Sequence, residues 1–442
     1  MRRETGHGDL HPPEAFLGVC ARLEEAGFQA WAVGGAIRDA LMGRDRADWD
    51  LATDARPPQV RGLFPRTVPL GVEHGTVGVI AVDGRMYEVT TFRRDVETDG
   101  RHAVVAFADS VDEDLARRDF TINAIAWRPG TDELRDPFGG RDALRAGRLQ
   151  AVGEAGDRFA EDYLRVLRGL RFAGRLALEI EPATRAALEE AVPGLDRLSA
   201  ERVREEIAKS LGGPGAGDIL RLYAEAGALR HWLPELDDAM REDPRAAESV
   251  AAVDEIPPHR GLLRLVRWLL ALPRGSAPEG EAADGAPVEA ILRRLKFANA
   301  EIRTVRRLWE AYLPFLHPAD SDARLREWLS EVGREHARDV FRLHFALARA
   351  RAARESERAL LHTWRRVHAE LVGGAPVSLS DLAVNGGDLL ELGLPAGPLV
   401  GLMLEELHAR VLEDPSSNDR ETLLAEAREL IEIGALDGLE EE

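Results

Sequence analysis

Two carboxylates separated by one residue stand in Arg46-Ala-Asp-Trp-Asp-Leu-Ala-Thr53. On a strand, Asp48 and Asp50 would share one face while Trp49 and Leu51 turn to the other. Such a pair suits a hard divalent cation. Beside nucleotide phosphates the cation of choice is Mg2+, which in a two-metal arrangement activates an attacking hydroxyl and stabilises leaving pyrophosphate. A solvated acidic patch is the competing reading, and the chain has another such group at Asp112-Glu-Asp114, on an expected helix start. Just upstream, the apolar run Trp31-Ala-Val enters Gly34-Gly35 and then a helix carrying Arg38 and Asp39. Glycines there let backbone N–H groups approach a phosphate, with Arg38 in reach of the same anion; an ordinary tight turn would look alike.

Three further groups follow. Glu88 is expected on a strand face with Met86, Thr90 and Phe92, either facing solvent at a sheet edge or joining the acidic pair as a third carboxylate. In Arg117-Arg-Asp-Phe-Thr-Ile-Asn123, Arg118 offers paired donors to phosphate oxygens, against a reading as a surface ion pair capping the next helix. In Glu161-Asp-Tyr-Leu-Arg-Val-Leu-Arg-Gly-Leu-Arg-Phe172, a helix at about 100° per residue places Asp162 near Arg165, with Arg168 and Arg171 continuing the stripe. An acceptor beside donors matches the pairing edges of cytosine and adenine and mismatches those of guanine and uracil. A plain i,i+3 surface salt bridge is the alternative.

The elements that must position these groups divide unevenly. From Phe28 to about Val152, short apolar runs between Gly, Asp and Pro predict strands, tight turns and a few helices. The clearest feature is a hairpin, residues 75–82 and 85–92 around Asp83-Gly84. After Gly153 the texture is Leu, Ala, Arg and Glu at helical spacing, predicting a long all-α remainder. Residues 274–287 read as a surface loop, and no fixed-period repeat is present.

Composition narrows the class. The 442 residues suggest several domains, and no apolar stretch is long enough to span a membrane. A single cysteine, Cys20, excludes a disulfide framework and Cys-rich metal sites. With no signal-like apolar run near Met1, a cytoplasmic location is expected. The net charge of −20 weighs against nucleic acid, but binding depends on local basic surface, and the cations are almost all arginine. Candidate stretches are Arg293, Arg294 and Lys296 with Arg303, Arg306 and Arg307, and the series Arg338, Arg342 and Arg349.

In this order, the motifs resemble the class II tRNA nucleotidyltransferases, the CCA-adding family with its poly(A) polymerase relatives. The likeness rests on Gly34-Gly35, Arg38-Asp39, Asp48-x-Asp50, Glu88-Val-Thr-Thr-Phe92, a loop segment at residues 95–102 and Arg117-Arg118-Asp119 with Asn123. It continues through Asp136-Pro-Phe-Gly-Gly140, Glu161-Asp162-x-x-Arg165 and residues 381–390, and so spans nearly the whole chain. Thr98 and Ala103 depart from the aromatic and proline that the family often carries in its loop. The resemblance implies an α+β fold: a small mixed-sheet palm or head (1–152), then a helical neck with the base-reading helix (153–230), an RNA-binding body (231–370) and a tail (371–442). It implies addition of CCA to tRNA from CTP and ATP, with Mg2+ on Asp48 and Asp50 and Glu88 beside them. Gly34, Gly35, Arg38 and Arg118 would hold triphosphate; Asp162 and Arg165 would read the base, with Arg168 and Arg171 also on the nucleotide. The partner implied is the tRNA acceptor arm, and no protein partner is indicated. A CC-only or A-only enzyme, a poly(A) polymerase and an inactive RNA-binding relative are the alternatives; the acidic end at residues 437–442 and the intact motifs weigh against the last two.

Overall fold

The computed structural model describes residues 10–44, 48–71, 75–98, 103–273, 284–313 and 315–433. It divides into two compact units, Met1–Asp237 and Asp238–Glu442.

The first unit opens with helix α1 (Glu14–Glu25), whose apolar face, Phe16, Val19 and Leu23, is buried against a sheet. The strands are β1 (Trp31–Val33), β2 (Asp50–Thr53), β3 (Thr67–Pro69), β4 (Thr76–Ile80), β5 (Met86–Thr91), β8 (Ala126–Arg128) and β9 (Glu133–Arg135), in the spatial order β3-β4-β5-β2-β1-β8-β9. Only β2 and β5 pair in parallel; the other neighbours are antiparallel, so the sheet is mixed. The expected hairpin forms between β4 and β5, with Ile80 opposite Met86 and Gly84 at φ +80° in its turn. A separate two-stranded ribbon, β6 (Arg93–Thr98) with β7 (Ala103–Phe107), occupies the expected loop segment; residues 99–102 lie outside the described residues. Strand alternation sorts the sheet residues into two cores. Ala32, Leu51, Val77 and Val89 face α1, while Trp31, Val33, Ala52 and Phe92 pack with Val111 and Leu115.

The short helices α2 (Gly35–Leu41), α3 (Pro57–Leu63), α4 (Val111–Ala116) and α5 (Gly140–Arg145) connect these strands. Helices α6 (Ala155–Glu161), α7 (Leu164–Leu176), α8 (Pro182–Ala191), α9 (Ala200–Leu211) and α10 (Ala216–Glu225) follow. The helical part is not purely helical. Arg148–Leu149 (β10) pairs with Glu179–Ile180 (β11) in a parallel ribbon that ties the end of the head to the turn after α7. Two-residue strands bury too little to leave a sequence pattern.

The second unit is helical throughout its described residues, with long helices Arg334–Ala350 and Arg354–Gly373 and a last core built from Leu389, Met403, Leu407, Val411 and Leu423. The expected loop at 274–287 falls largely outside the described residues. No helix among the described residues is long and apolar enough to cross a membrane.

Candidate active site

Most of the expected site residues line one cavity of about 480 Å3 in the first unit, among them Gly34, Gly35, Arg38, Asp50, Arg118, Asp119, Asp162, Arg165, Arg168 and Arg171; Asp48 and Glu88 are not in its lining. Gly34 follows β1 and precedes α2 at φ +71°, a conformation that side chains disfavour, and a Cβ there would stand 3.0 Å from Arg118 Nη1. The missing side chain is what lets a cation and the backbone share this corner. One turn on, Arg38 is 8% exposed; its Nη1 donates to Asn123 Oδ1 at 2.6 Å, its Nε to Asp39 at 2.8 Å, and its guanidinium lies 5.1 Å from the Phe172 ring centroid.

Asp50 begins β2, Trp49 and Leu51 are buried, and Asp48 precedes the strand, exposed. Because Leu51 is in register with Val89 on the parallel neighbour, Asp50 comes level with Glu88. Burial, then the charge of Glu88, pushes the Asp50 carboxyl up to about 6, with Asp48 adding and Arg118 opposing. Glu88 is exposed on an interior strand rather than a sheet edge, and of its face only Phe92 is fully apolar and buried; Met86 is 47% exposed. Among the described residues no three acidic, His or Cys side chains gather as a ready-made metal cluster. The pair itself fits a divalent cation: the Asp50 carboxylate makes no hydrogen bond or ion pair among the described residues, and Arg118 only partly offsets burial and the charge of its acidic neighbours. A cation and phosphate oxygens would complete what the carboxylates begin.

The Arg117-Arg118-Asp119 segment is not a surface ion pair. Arg118 is held by buried Asp114, one turn back on α4, at 3.0 Å; the other oxygen of Asp114 accepts from the Arg93 N–H at the root of the β6–β7 ribbon. Asp119 is 7% exposed and accepts from the Phe120 N–H, from Asn123 Nδ2 at 3.0 Å and from Arg168 of α7. Burial alone would raise its pKa, but Arg168, the hydrogen bonds from Asn123 and Arg168, and Arg165 outweigh burial and hold it down at about 2.

The stretch read as one helix is broken. α6 stops at Glu161, Asp162 is extended (φ −157°), and α7 starts at Leu164. The Asp162 carboxylate, one residue before the Tyr163 N-cap, accepts from the Leu164 N–H at 3.0 Å, a local side-chain bond that competes with helix continuation. Asp162 and Arg165 therefore form no i,i+3 salt bridge. Asp162 pairs instead with Arg202 of α9 at 2.7 Å, and Arg165 with Glu161 at 2.8 Å while donating to the Arg158 and Arg117 carbonyls. Both line the cavity, and the bonds above leave lone pairs on the carboxylate and the Nε–H of the guanidinium unused among the described residues. Farther along, Arg171 is ion-paired to Glu206 of α9, and both are buried.

Sequence reading missed Arg202, Glu206 and Glu161 as supports for Asp162, Arg171 and Arg165. Arg202 and Glu206 recur one turn apart on α9, a helix-face signal, but nothing local says that α7 is the facing element. It also missed Arg175, which lines the cavity and whose pKa is lowered by burial, then by Arg171 and Arg38.

A mixed sheet with a glycine corner, an acidic pair and an arginine-lined cavity against one helix defines a nucleotidyltransferase. Family models agree: Poly A polymerase head domain matches residues 30–150, the polymerase A RNA- and SrmB-binding site residues 177–240, and tRNA nucleotidyltransferase domain 2 residues 282–427. The chain is 36% identical to a CCA-adding enzyme of Geobacillus stearothermophilus over 94% of this chain and 97% of that one. It is 35% identical to a CCA-adding enzyme of Geobacillus kaustophilus, again over 94% and 97%. The crystal structure of the Bacillus stearothermophilus CCA-adding enzyme in complex with CTP superimposes with a TM-score of 0.77 at 33% identity, covering 97% of this chain and 100% of that one. The chain belongs to the CCA-adding enzymes, which are tRNA nucleotidyltransferases.

Proposed function

We infer that this protein extends tRNA 3′ ends with CCA, taking CTP and ATP in turn without a nucleic-acid template. The tRNA 3′-hydroxyl oxygen attacks the nucleotide α-phosphorus, the bond to the β-phosphate bridge breaks, and pyrophosphate leaves. Asp48 and Asp50 would hold Mg2+, which when bound acidifies the hydroxyl and neutralises charge on the departing oxygens. Gly34, Gly35, Arg38 and Arg118 bind and orient the triphosphate, with Arg168 and Arg171 beside it; Glu88 adds negative charge next to Asp50. Asp162 accepts from the exocyclic amino group of cytosine or adenine and Arg165 donates to the adjacent ring nitrogen, each pre-set by Arg202 and Glu161. Guanine and uracil meet the same edge with acceptor on acceptor and donor on donor.

The observation that carries this reading is the fixed, fully supported pair Asp162 and Arg165 in the same cavity as the phosphate-binding corner. The division 1–152 head, 153–230 neck, 231–370 body and 371–442 tail, the acceptor arm as the bound part of tRNA, and cytoplasmic action belong to the same reading. The test is incubation with tRNA lacking its CCA, with CTP and ATP given separately and together, followed by sequencing of 3′ ends. CC with CTP alone and CCA with both is the expected result. Addition of only C, only A or an A tail would identify a CC-adding, A-adding or poly(A) enzyme instead, and no addition an inactive relative.

A further inference from the structure

In the second unit, where the helix Arg334–Ala350 ends and Arg354–Gly373 begins, Phe345, Arg349, Arg354, Glu357, Arg358 and Leu361 line a depression of about 500 Å3. Three guanidinium groups face one carboxylate here, in a chain whose net charge is −20. The single acid is already engaged, Glu357 lying 3.7 Å from Arg349, which also sits 6.0 Å from the Phe345 ring centroid. The side chains of Arg354 and Arg358 are exposed and make no hydrogen bond or ion pair among the described residues. The Phe345 ring is half-buried and Leu361 is 42% exposed, so the depression has an apolar wall beneath unspent cations.

An acidic peptide would use the cations and waste the ring; an apolar partner would have to bury guanidinium groups without counter-charge. A nucleotide uses both, its base face on the ring and its phosphates on the arginines. We propose that this depression binds an unpaired nucleotide of the substrate RNA, giving tRNA an anchor on the second unit. The proposal rests on the tRNA reading above and deepens it.

The test is filter binding of tRNA lacking its CCA, and of a duplex RNA of similar length, across a salt series. The wild type is compared with the double variant Arg354→Ala/Arg358→Ala, with Phe345→Leu and with Phe345→Trp. The double arginine variant should weaken both RNAs and lower the salt slope by about two units, one per lost phosphate contact. Phe345→Leu should weaken tRNA by about tenfold at unchanged slope, leave duplex affinity alone because its bases are already stacked, and be rescued by Phe345→Trp. Turnover at saturating tRNA and CTP should match wild type in every variant. Unaltered tRNA affinity in the arginine pair, or equal effects of Phe345→Leu on tRNA and duplex, overturns the proposal. Wild-type protein that neither binds nor extends tRNA would instead remove the functional reading on which it rests.

Discussion

At the scale of single residues, the site is a set of charges whose partners are assigned in advance. Asp50 stands apart, because burial and Glu88 leave its carboxyl raised to about 6, with Arg118 offsetting them only in part. Asp48→Ala or Asp50→Ala should therefore abolish nucleotide addition while leaving the melting temperature unchanged or higher. A variant keeping a tenth of wild-type turnover would remove that carboxylate from the proposed metal site. The pair proposed to read the base gives a different signature. Asp162→Ala should lower discrimination against UTP and GTP by about 1–3 kcal/mol, roughly ten- to a hundredfold, and Arg165→Ala should do the same with a larger loss of rate. Misincorporation assays check both, and unchanged selectivity would mean the base is read elsewhere. That Asp50, Asp162 and Arg165 share one cavity was legible because their types and order carry chemistry. Their supports were not: Arg202 lies 40 positions from Asp162, and only the packing of α9 on α7 brings them together.

At the scale of elements, the sequence pattern succeeded where periodicity is local and failed where a single side chain overrode it. The β4–β5 hairpin follows from alternation around Asp83-Gly84 and forms as expected. The break between α6 and α7 does not show in a 3.6-residue pattern, because Asp162 ends one helix and binds the first N–H of the next with a carboxylate that the same pattern would place on a surface. Asp119 makes the join between head and helix energetic as well as geometric, tying Asn123 and Arg168 through one buried carboxylate. Its folded pKa, about 2, lies below the ordinary 3.8, so the ionised form stabilises the fold. That contribution, about 2 kcal/mol, is complete above 3.8 and is lost as pH falls through about 2. Asp119→Asn should therefore melt below wild type at neutral pH, with the gap closing over that acid window. A gap that persists below pH 2 would assign the loss to packing rather than charge.

At the scale of the whole molecule, the question is how a chain of net charge −20 holds a polyanion. Arginine count alone misleads, since several candidate cations are already spent on acids. Arg293 is paired with Glu289, Arg306 with Glu289 and Glu310, and Arg342 with Asp339. Arg303, Arg307 and Arg338 make no ion pair among the described residues and so remain available for phosphate. A spent guanidinium would have to exchange one anion for another, with little net counterion release; a free one releases counterions when it meets RNA. Binding of tRNA should accordingly weaken steeply with salt despite the total charge. Arg303→Ala and Arg307→Ala should each lower the slope of log K against log salt by close to one unit, by analogy with duplex DNA, whereas Arg293→Ala should leave it unchanged. Affinities measured from low to physiological ionic strength decide the matter: a flat wild-type dependence, or an equal drop for paired and free arginines, would show that these side chains only solvate the surface.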